Sequence, residues 1–304
     1  MEIWGGCDPA DANVSIPGLD AWIYSRPFCQ ASDETQGGGG DIYYLSSCAT
    51  GRINRLLVAD VSGHGQAVQS VAVSLRDMMR RFINYLDQSR FVLAMNNQFA
   101  ASAKNGTFAT AVVTTFFSPT RTLSVCNAGH PPPIVWRVAT KEWSVLDPRQ
   151  GGERVANIPL GIMDLDDCQQ FDVDLEVGDM VLVYTDSLIE ARGPSGEMLG
   201  PAGVVGLLTT HTDAAKPETI IPTLLRAIGG GLDADDVTAL LLRASGTGAT
   251  TPLKERLLAP VRIFRSACRS LLGKEPAAFP DLTLANVGGA VVPRLNRLWS
   301  KRSK

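Results

Sequence analysis

Between residues 37 and 65 the chain reads GGGGDIYYL, a variable connector, then LLVADVSGHG. Two apolar-aromatic runs each meet an aspartate, Asp41 at the start of one and Asp60 at the end of the other. Short runs of this composition read as strands, and they pair about a turn near Thr50–Gly51. Glycines crowd both acids, and a backbone without Cβ can approach closely enough for a carbonyl to join a coordination shell. The expectation is a pair of carboxylates that holds metal ions and activates a water.

The rest of the chain must then supply further ligands and a scaffold. Residues 1–16 show no periodicity and are expected to lie loosely on the surface. Leu19 to Tyr24 reads as a first strand. Residues 66–86 carry apolar side chains at helical spacing, among them Val71, Leu75, Met78 and Phe82. A second helix fits 89–103, with Phe91, Met95 and Phe99 spaced by four. Strands follow at 107–117, 122–127, 134–138, 171–175 and 180–185, then helices at 200–211 and 217–228 and a last strand at 236–243. Antiparallel hairpins dominate and there is no βαβ alternation. The fold class is therefore α+β, with helices packed on sheet faces.

Charge is unevenly spread. Residues 245–304 hold eleven Lys and Arg against three acids, a net +8, which leaves −11 on residues 1–244 out of a total of −3. An acidic body suits cations, and a basic tail suits an anionic partner or surface. Nothing in this balance calls for nucleic acid. The six cysteines are scattered without a CxxC pair, so neither a metal cluster nor a disulfide framework is expected. With no signal peptide layout and no apolar run of membrane length, the expected location is the cytoplasm.

Four aspartates begin or end apolar strands: Asp41, Asp60, Asp186 in VLVYTDS and Asp235 in DADDVTALLL. Converging carboxylates repel one another, and burial raises their pKa values. A divalent cation relieves both effects, and oxygen-only ligands select hard ions such as Mg²⁺ or Mn²⁺. Two such ions sharing a water lower its pKa for in-line attack on phosphorus. The plain alternative is that strand-end aspartates form turns and cap helices. Spacing alone does not choose between the two.

The motifs GGGGD (37–41), VADVSGHG (58–65), FATA (108–111), NAGHPPP (127–133), PLGI (159–162), GDMVLVYTDSLIEAR (178–192) and DDVTALLLR (235–243) occur in the order seen in SpoIIE/RsbU-like serine phosphatases. The chain resembles this bacterial branch of the metal-dependent protein phosphatase 2C (PPM) superfamily from Val14 to Arg243. The resemblance implies an α/β/β/α sandwich, two central antiparallel sheets flanked by helix pairs, with a Mn²⁺/Mg²⁺ site of two ions at one end. It implies that Asp60 bridges the metals, with the Val61 carbonyl on one of them. Asp186 and Asp235 would ligate the other, and Asp41 would be the acid on the far side. Asp236 ranks second as a neighbour able to exchange roles with Asp235.

The chain departs from the family pattern in places. YTDG is usual where YTDS stands here, so Ser187 replaces a glycine; if that position needs φ > 0, Ser is strained there. Eukaryotic members carry DGHGG, whose His can act as general acid. In DVSGHG the His comes two residues later and Ser62 takes its place, so His64 is a second-rank residue with a loop-holding role. His130, in the proline-locked NAGHPPP turn, reads first as structural.

The resulting organisation is an N-terminal extension at 1–15, too short for a sensor domain, a PPM-type domain at 16–244 and a basic tail at 245–304. In the tail, PVRIFRSACRSLLG (260–273) reads as an amphipathic helix for a peripheral membrane or acidic-partner contact. The implied substrate is a phosphorylated protein of the anti-sigma-factor-antagonist (STAS) type in a partner-switching pathway. Two other readings stand beside it. One is a catalytically weak binding module for a phosphorylated partner, motivated by Ser187 and the tail. The other is a hydrolase of small phosphoesters.

Overall fold

The structure is a computed structural model that describes residues 2–28, 39–48, 51–62, 71, 78, 88–102, 108–146, 158–162, 170–193, 196–232, 235–247 and 294–295. His64, most of the helix expected at 66–86, the loop at 147–157 and the tail helix at 260–273 lie outside these residues. Within 66–86, Val71 and Met78 are described. Both are helical and pack on a core cluster.

Among the described residues, twelve strands alternate with few helices. They are β1 (Glu2–Gly6), β2 (Ala10–Ile16), β3 (Leu19–Arg26), β4 (Asp41–Ser47), β5 (Ile53–Val61), β6 (Ala109–Phe117), β7 (Thr122–Ala128), β8 (Ile134–Arg137), β9 (Glu142–Val145), β10 (Phe171–Asp174), β11 (Met180–Tyr184) and β12 (Val237–Ala244). The helices are α1 (Ser89–Ser102), α2 (Ser187–Glu190), α3 (Gly200–His211) and α4 (Pro217–Ile228), the last followed by a 3₁₀ turn at Gly229–Leu232. The described strands form two six-stranded sheets, ordered β1-β4-β5-β6-β7-β10 and β2-β3-β12-β11-β8-β9. Every named pair is antiparallel.

Three apolar layers follow from strand alternation. Tyr43, Leu45, Leu56, Val58, Val112, Val181, Val183, Leu240 and Leu242 meet between the sheets. The opposite face of the first sheet, with Leu57, Ala59 and Val113, receives Phe91, Met95 and Phe99 of α1. The outer face of the second sheet, with Leu182, Tyr184 and Leu241, receives Val204 and Leu208 of α3 and Ile220, Ile221 and Leu224 of α4. This is the expected four-layer sandwich. Among the described residues no helix is long and apolar enough to cross a membrane.

Several local expectations are corrected. Residues 1–16 are not a loose surface stretch: β1 pairs with β4 and β2 pairs with β3, each at a sheet edge. The alternation was present in Ala10–Ile16, whose burial alternates along its whole length; alanines at the inward positions masked it. Strand β9 and helix α2 were not anticipated, both being only four residues long. Arg55, an arginine in the middle of β5, is fully buried, with its guanidinium 5.5 Å from the Phe91 ring centre and Nε donating to Thr115 Oγ1 at 3.1 Å. Cys126 is disulfide-bonded, whereas Cys7 and Cys48 are buried thiols. Linear spacing does not report which cysteines a sheet brings together.

At the end of the sandwich where β11 begins, Asp179 closes the turn. Its carboxylate accepts from Arg137 Nη1 at 2.8 Å, from the Val138 amide at 2.8 Å and from the Glu176 amide at 3.0 Å, and its side chain is 2% exposed. Removing such an acceptor leaves two amides unpaired and takes its carboxylate partner from Arg137. Asp179→Ala is therefore expected to destabilise the fold by about 3 kcal/mol, read as a lower urea midpoint at unchanged slope. An unchanged midpoint would show that water replaces the carboxylate.

Candidate active site

At the opposite end, the layer between the sheets turns polar. On six of the described strands the side chain two residues past the last core position is hydrophilic. Asp41 follows the parity of Tyr43 and Leu45, Asp60 that of Leu56 and Val58, and Thr110 that of Val112. From the other sheet come Ser25 after Ile23, Thr185 after Val183, and Thr238 and Asp236 before Leu240. The strands therefore carry their inward faces past the apolar core and end it in oxygen atoms.

Asp41 and Asp60 are direct partners in the β4–β5 register, and Asp60 faces Thr110 across β5–β6. Asp41 is 4% exposed. Thr185 Oγ1 donates to its Oδ2 at 2.9 Å and accepts from the Thr238 amide at 3.0 Å. Ser25 and Thr238 hydroxyls meet at 3.1 Å. This hydroxyl network joins the two sheets beneath the acids. Sequence reading passed over it, although Thr185 and Thr238 continue the alternation of their strands and could have been found that way.

Asp235 and Asp236 separate cleanly. Asp236 is buried, and its carboxylate accepts from the amides of Phe28, Gly40 and Asp41. A Cβ at Gly39 would overlap it, which accounts for a glycine at that point of the GGGG run. Asp235 is exposed and its Oδ1 accepts only a local bond among those described, from the Asp236 amide at 2.8 Å. One acid is thus a clamp and its neighbour faces solvent.

Asp186 lies two residues past the end of β11 and stands at the N-cap of α2, yet its side chain makes no capping hydrogen bond. Ser187 is the first residue of that helix and is not among the positive-φ residues, which outside glycine and among the described residues are Arg121 and Lys141. The strain expected of Ser at this position does not arise, because the chain enters a helical turn there. Ser187 is 6% exposed and its Oγ lies 3.5 Å from Thr185 Oγ1. Val61 is buried, and its amide donates to the Gly40 carbonyl at 3.1 Å. Ser62 Oγ accepts from the Phe108 amide at 2.9 Å, a loop-holding bond.

The electrostatics report convergence. Burial pushes Asp60 up to about 7, with Asp186, Asp235, Asp236 and Glu190 adding to the rise. Asp186 is raised by burial, then by Glu190 and Asp235. Asp41 is raised well above the ordinary carboxylate range by burial, opposed by hydrogen bonds from Thr238 and Thr185. Every charge named as acting on these three groups is another acid. Glu190, one helical turn beyond Asp186, joins the cluster, and sequence reading missed it. Among the described residues no group of three or more His, Cys, Asp or Glu side chains is already arranged to hold a metal ion. His130 is 2% exposed, and burial pushes its ring down to about 3, so it is neutral.

The family model for stage II sporulation protein E (SpoIIE) matches residues 51–245, more than half of the chain. Among solved structures, the RsbU and RsbW domains of Rv1364c from Mycobacterium tuberculosis are 22% identical, with a TM-score of 0.64 over 86% of this chain and 72% of that one. The SiaA-PP2C domain of Pseudomonas aeruginosa is 20% identical, with a TM-score of 0.56 over 73% and 84%. RsbX, whose structure holds magnesium, is 16% identical, with a TM-score of 0.56 over 78% and 100%. The sandwich is shared with all three, and the matched span takes in Asp60, Asp186 and Asp235. The chain belongs to the stage II sporulation protein E (SpoIIE) family.

Proposed function

We propose that this chain hydrolyses phosphoserine or phosphothreonine on a protein partner, using a water activated by divalent metal. The reading is carried by the acid cluster around Asp60, in which each named neighbour pushes its pKa up and none lowers it. Such a set calls for an external cation. The donor chemistry fits the ion: carboxylates and carbonyls are hard oxygen ligands suited to Mn²⁺ or Mg²⁺. Asp60, the Val61 carbonyl, Asp186 and Asp235 would hold one or two ions, and Asp41 would stand on the far side. When bound, the metal lowers the pKa of a water and offsets the phosphate charge.

The remaining residues act through position. Asp236 fixes the main chain at Gly40 and Asp41, and Thr185 orients the Asp41 carboxylate. Ser62 and Asp236 have their oxygens engaged by amides and are holders rather than reacting groups. Water attacks phosphorus in line, the bond to the serine or threonine oxygen breaks, and no covalent enzyme intermediate forms. The helical start at Ser187 removes one motive for a binding-only module. A phosphorylated STAS-type protein in cytoplasmic partner switching is the substrate this reading favours, given the family.

Hydrolysis of a phosphopeptide is expected to require Mn²⁺ or Mg²⁺, to stop in EDTA, and to fall by about a hundredfold or more in Asp60→Asn. Activity that survives both treatments overturns the reading. The two neighbouring acids give a contrast. Asp235→Asn is expected to weaken Mn²⁺ binding with little change in Tm, whereas Asp236→Ala lowers Tm by leaving amides unpaired at the cost of roughly 2 kcal/mol or more. Reversal of that pattern would exchange their roles.

The raised pKa of Asp60 sets a pH dependence. The native state keeps its proton up to about pH 7, whereas the unfolded chain loses it near pH 4. Folding therefore binds more protons across this window, and the metal-free protein loses stability as pH rises from about 4 to 7. In EDTA, Asp60→Asn is expected to melt above wild type at pH 8, with the gap shrinking toward pH 4. Melting curves at both pH values check this; an equal gap at both would refute it.

A further inference from the structure

The end of the sandwich that holds the acids also carries a cavity of about 180 Å³, between α4 and the second sheet. Arg26 of β3 and Val237 of β12 are partners in register, so both side chains leave the same face. That face is the outer one, where α4 packs. Val237 and Leu232 belong to its apolar layer, and Tyr24 and Leu225 pack against it. These four line the cavity together with Arg26 and Arg226, both of which are exposed. Arg26 Nη2 donates to the Leu232 carbonyl at 2.6 Å. Arg226 donates from Nε to the Pro222 carbonyl and from Nη2 to Thr223 Oγ1, each at 3.2 Å. The acceptors named here are neutral, so these bonds aim the guanidiniums. Among the described residues no acid lines the cavity.

Two cations above an apolar lining fit a carboxylate on a methylene stem. The guanidinium fork matches the two carboxylate oxygens, and the stem covers Val237, Leu225 and Leu232. The volume falls below the roughly 300 Å³ of ordinary small-molecule sites, which suits one side chain better than a free cofactor. Position and charge indicate whose side chain it is. Val237 directly follows Asp236, and the exposed Asp235 comes just before. Arg26 stands two residues ahead of Phe28, whose amide Asp236 holds. Two residues of extended chain span about 7 Å, so a peptide bound at the acids reaches the cavity within a few residues. The chain's own tail is a poor occupant, because its net +8 opposes two arginines.

We propose that this cavity is a specificity subsite for the protein substrate. It takes an acidic side chain, Glu or Asp, that lies roughly two to four residues from the phosphorylated Ser or Thr. Arg226 and Arg26 bind the carboxylate, and the apolar lining takes its stem. The pair also offsets the repulsion that an acid body exerts on an acidic segment. This inference rests on the phosphatase reading above.

The test uses the full chain with Mn²⁺ and a series of otherwise neutral phosphoserine peptides. Each carries Glu, Gln or Lys at one position up to about four residues from the phosphoserine, on either side. The readout is the ratio of kcat/KM for Glu over Gln, so a general loss of activity does not mimic the effect. At one or more positions wild type is expected to favour Glu by roughly tenfold, through KM, and less so in high salt. Arg226→Gln is expected to bring the ratio close to one, and Arg226→Glu to favour Lys instead. Arg226 lies on the exposed side of α4, so these variants decide even where Arg26→Gln disturbs the turn at Leu232. Equal rates for Glu and Gln at every position, or a preference that survives Arg226→Glu, would overturn the proposal. A change of mass in Arg226→Glu without any peptide preference would give the cavity to a second copy, and would overturn it too. A wild type inactive on every peptide and on p-nitrophenyl phosphate would overturn the phosphatase reading itself, and this inference with it.

Discussion

The site depends on one carboxylate that takes no part in the proposed chemistry. Asp236 immediately precedes β12 of the second sheet, and two of its three amide donors, Gly40 and Asp41, lie where β4 of the first sheet begins. The third, Phe28, follows β3. A buried acceptor with three amide donors fixes the separation of the sheets where the apolar core gives out. The clamp also adds to the rise of the Asp60 and Asp41 pKa values, so it holds the sheets together within a group of carboxylates that repel one another. That tension is tolerable in a fold whose ends are pinned, here by Asp236 and at the far end by Asp179.

Much of the fold was legible because the relevant signals are periodic. Helices α3 and α4 fall at 200–211 and 217–228 as expected, and Phe91, Met95 and Phe99 bury one face of α1. Alternation of the long strands gave the sheets. The misses share a cause: the local signal was short or diluted. Alanine at inward positions hid β2, and four residues are too few for β9 or α2 to show a period. Arg55 ran against the rule that charge stays outside, and only the three-dimensional placement of Phe91 and Thr115 explains it.

The candidate site was legible as a set of residues and illegible as a division of labour. Asp41, Asp60, Asp186 and Asp235 were read from strand ends, and each sits at the same end of the sandwich. Which of Asp235 and Asp236 faces solvent could not be read from two identical letters side by side, since the answer lies in amides roughly two hundred residues away in the chain. The same holds for Ser187, whose cost depended on a backbone angle. Glu190, Thr110, Thr185 and Thr238 lie inside the quoted motifs, yet nothing in the motif spacing marks these side chains as part of the site. They come to the site through register and helical turn, which act only once the sheets have formed.

The placement of β1 and β2 has a bearing on solubility. One continuous segment, Glu2 to Ile16, lines the margin of both sheets, covering β4 on one and β3 on the other. A bare sheet margin presents a row of unpaired N–H and C=O groups that recruits other chains. Loss of this short segment would uncover two such margins at once, on the layers that carry Asp41 and Ser25. Glu2 to Ile16 replaces the margins of β4 and β3 with shorter edge strands, which blunts edge-to-edge association, and a proteolytic nick between Ile16 and Leu19 would bare the longer margins.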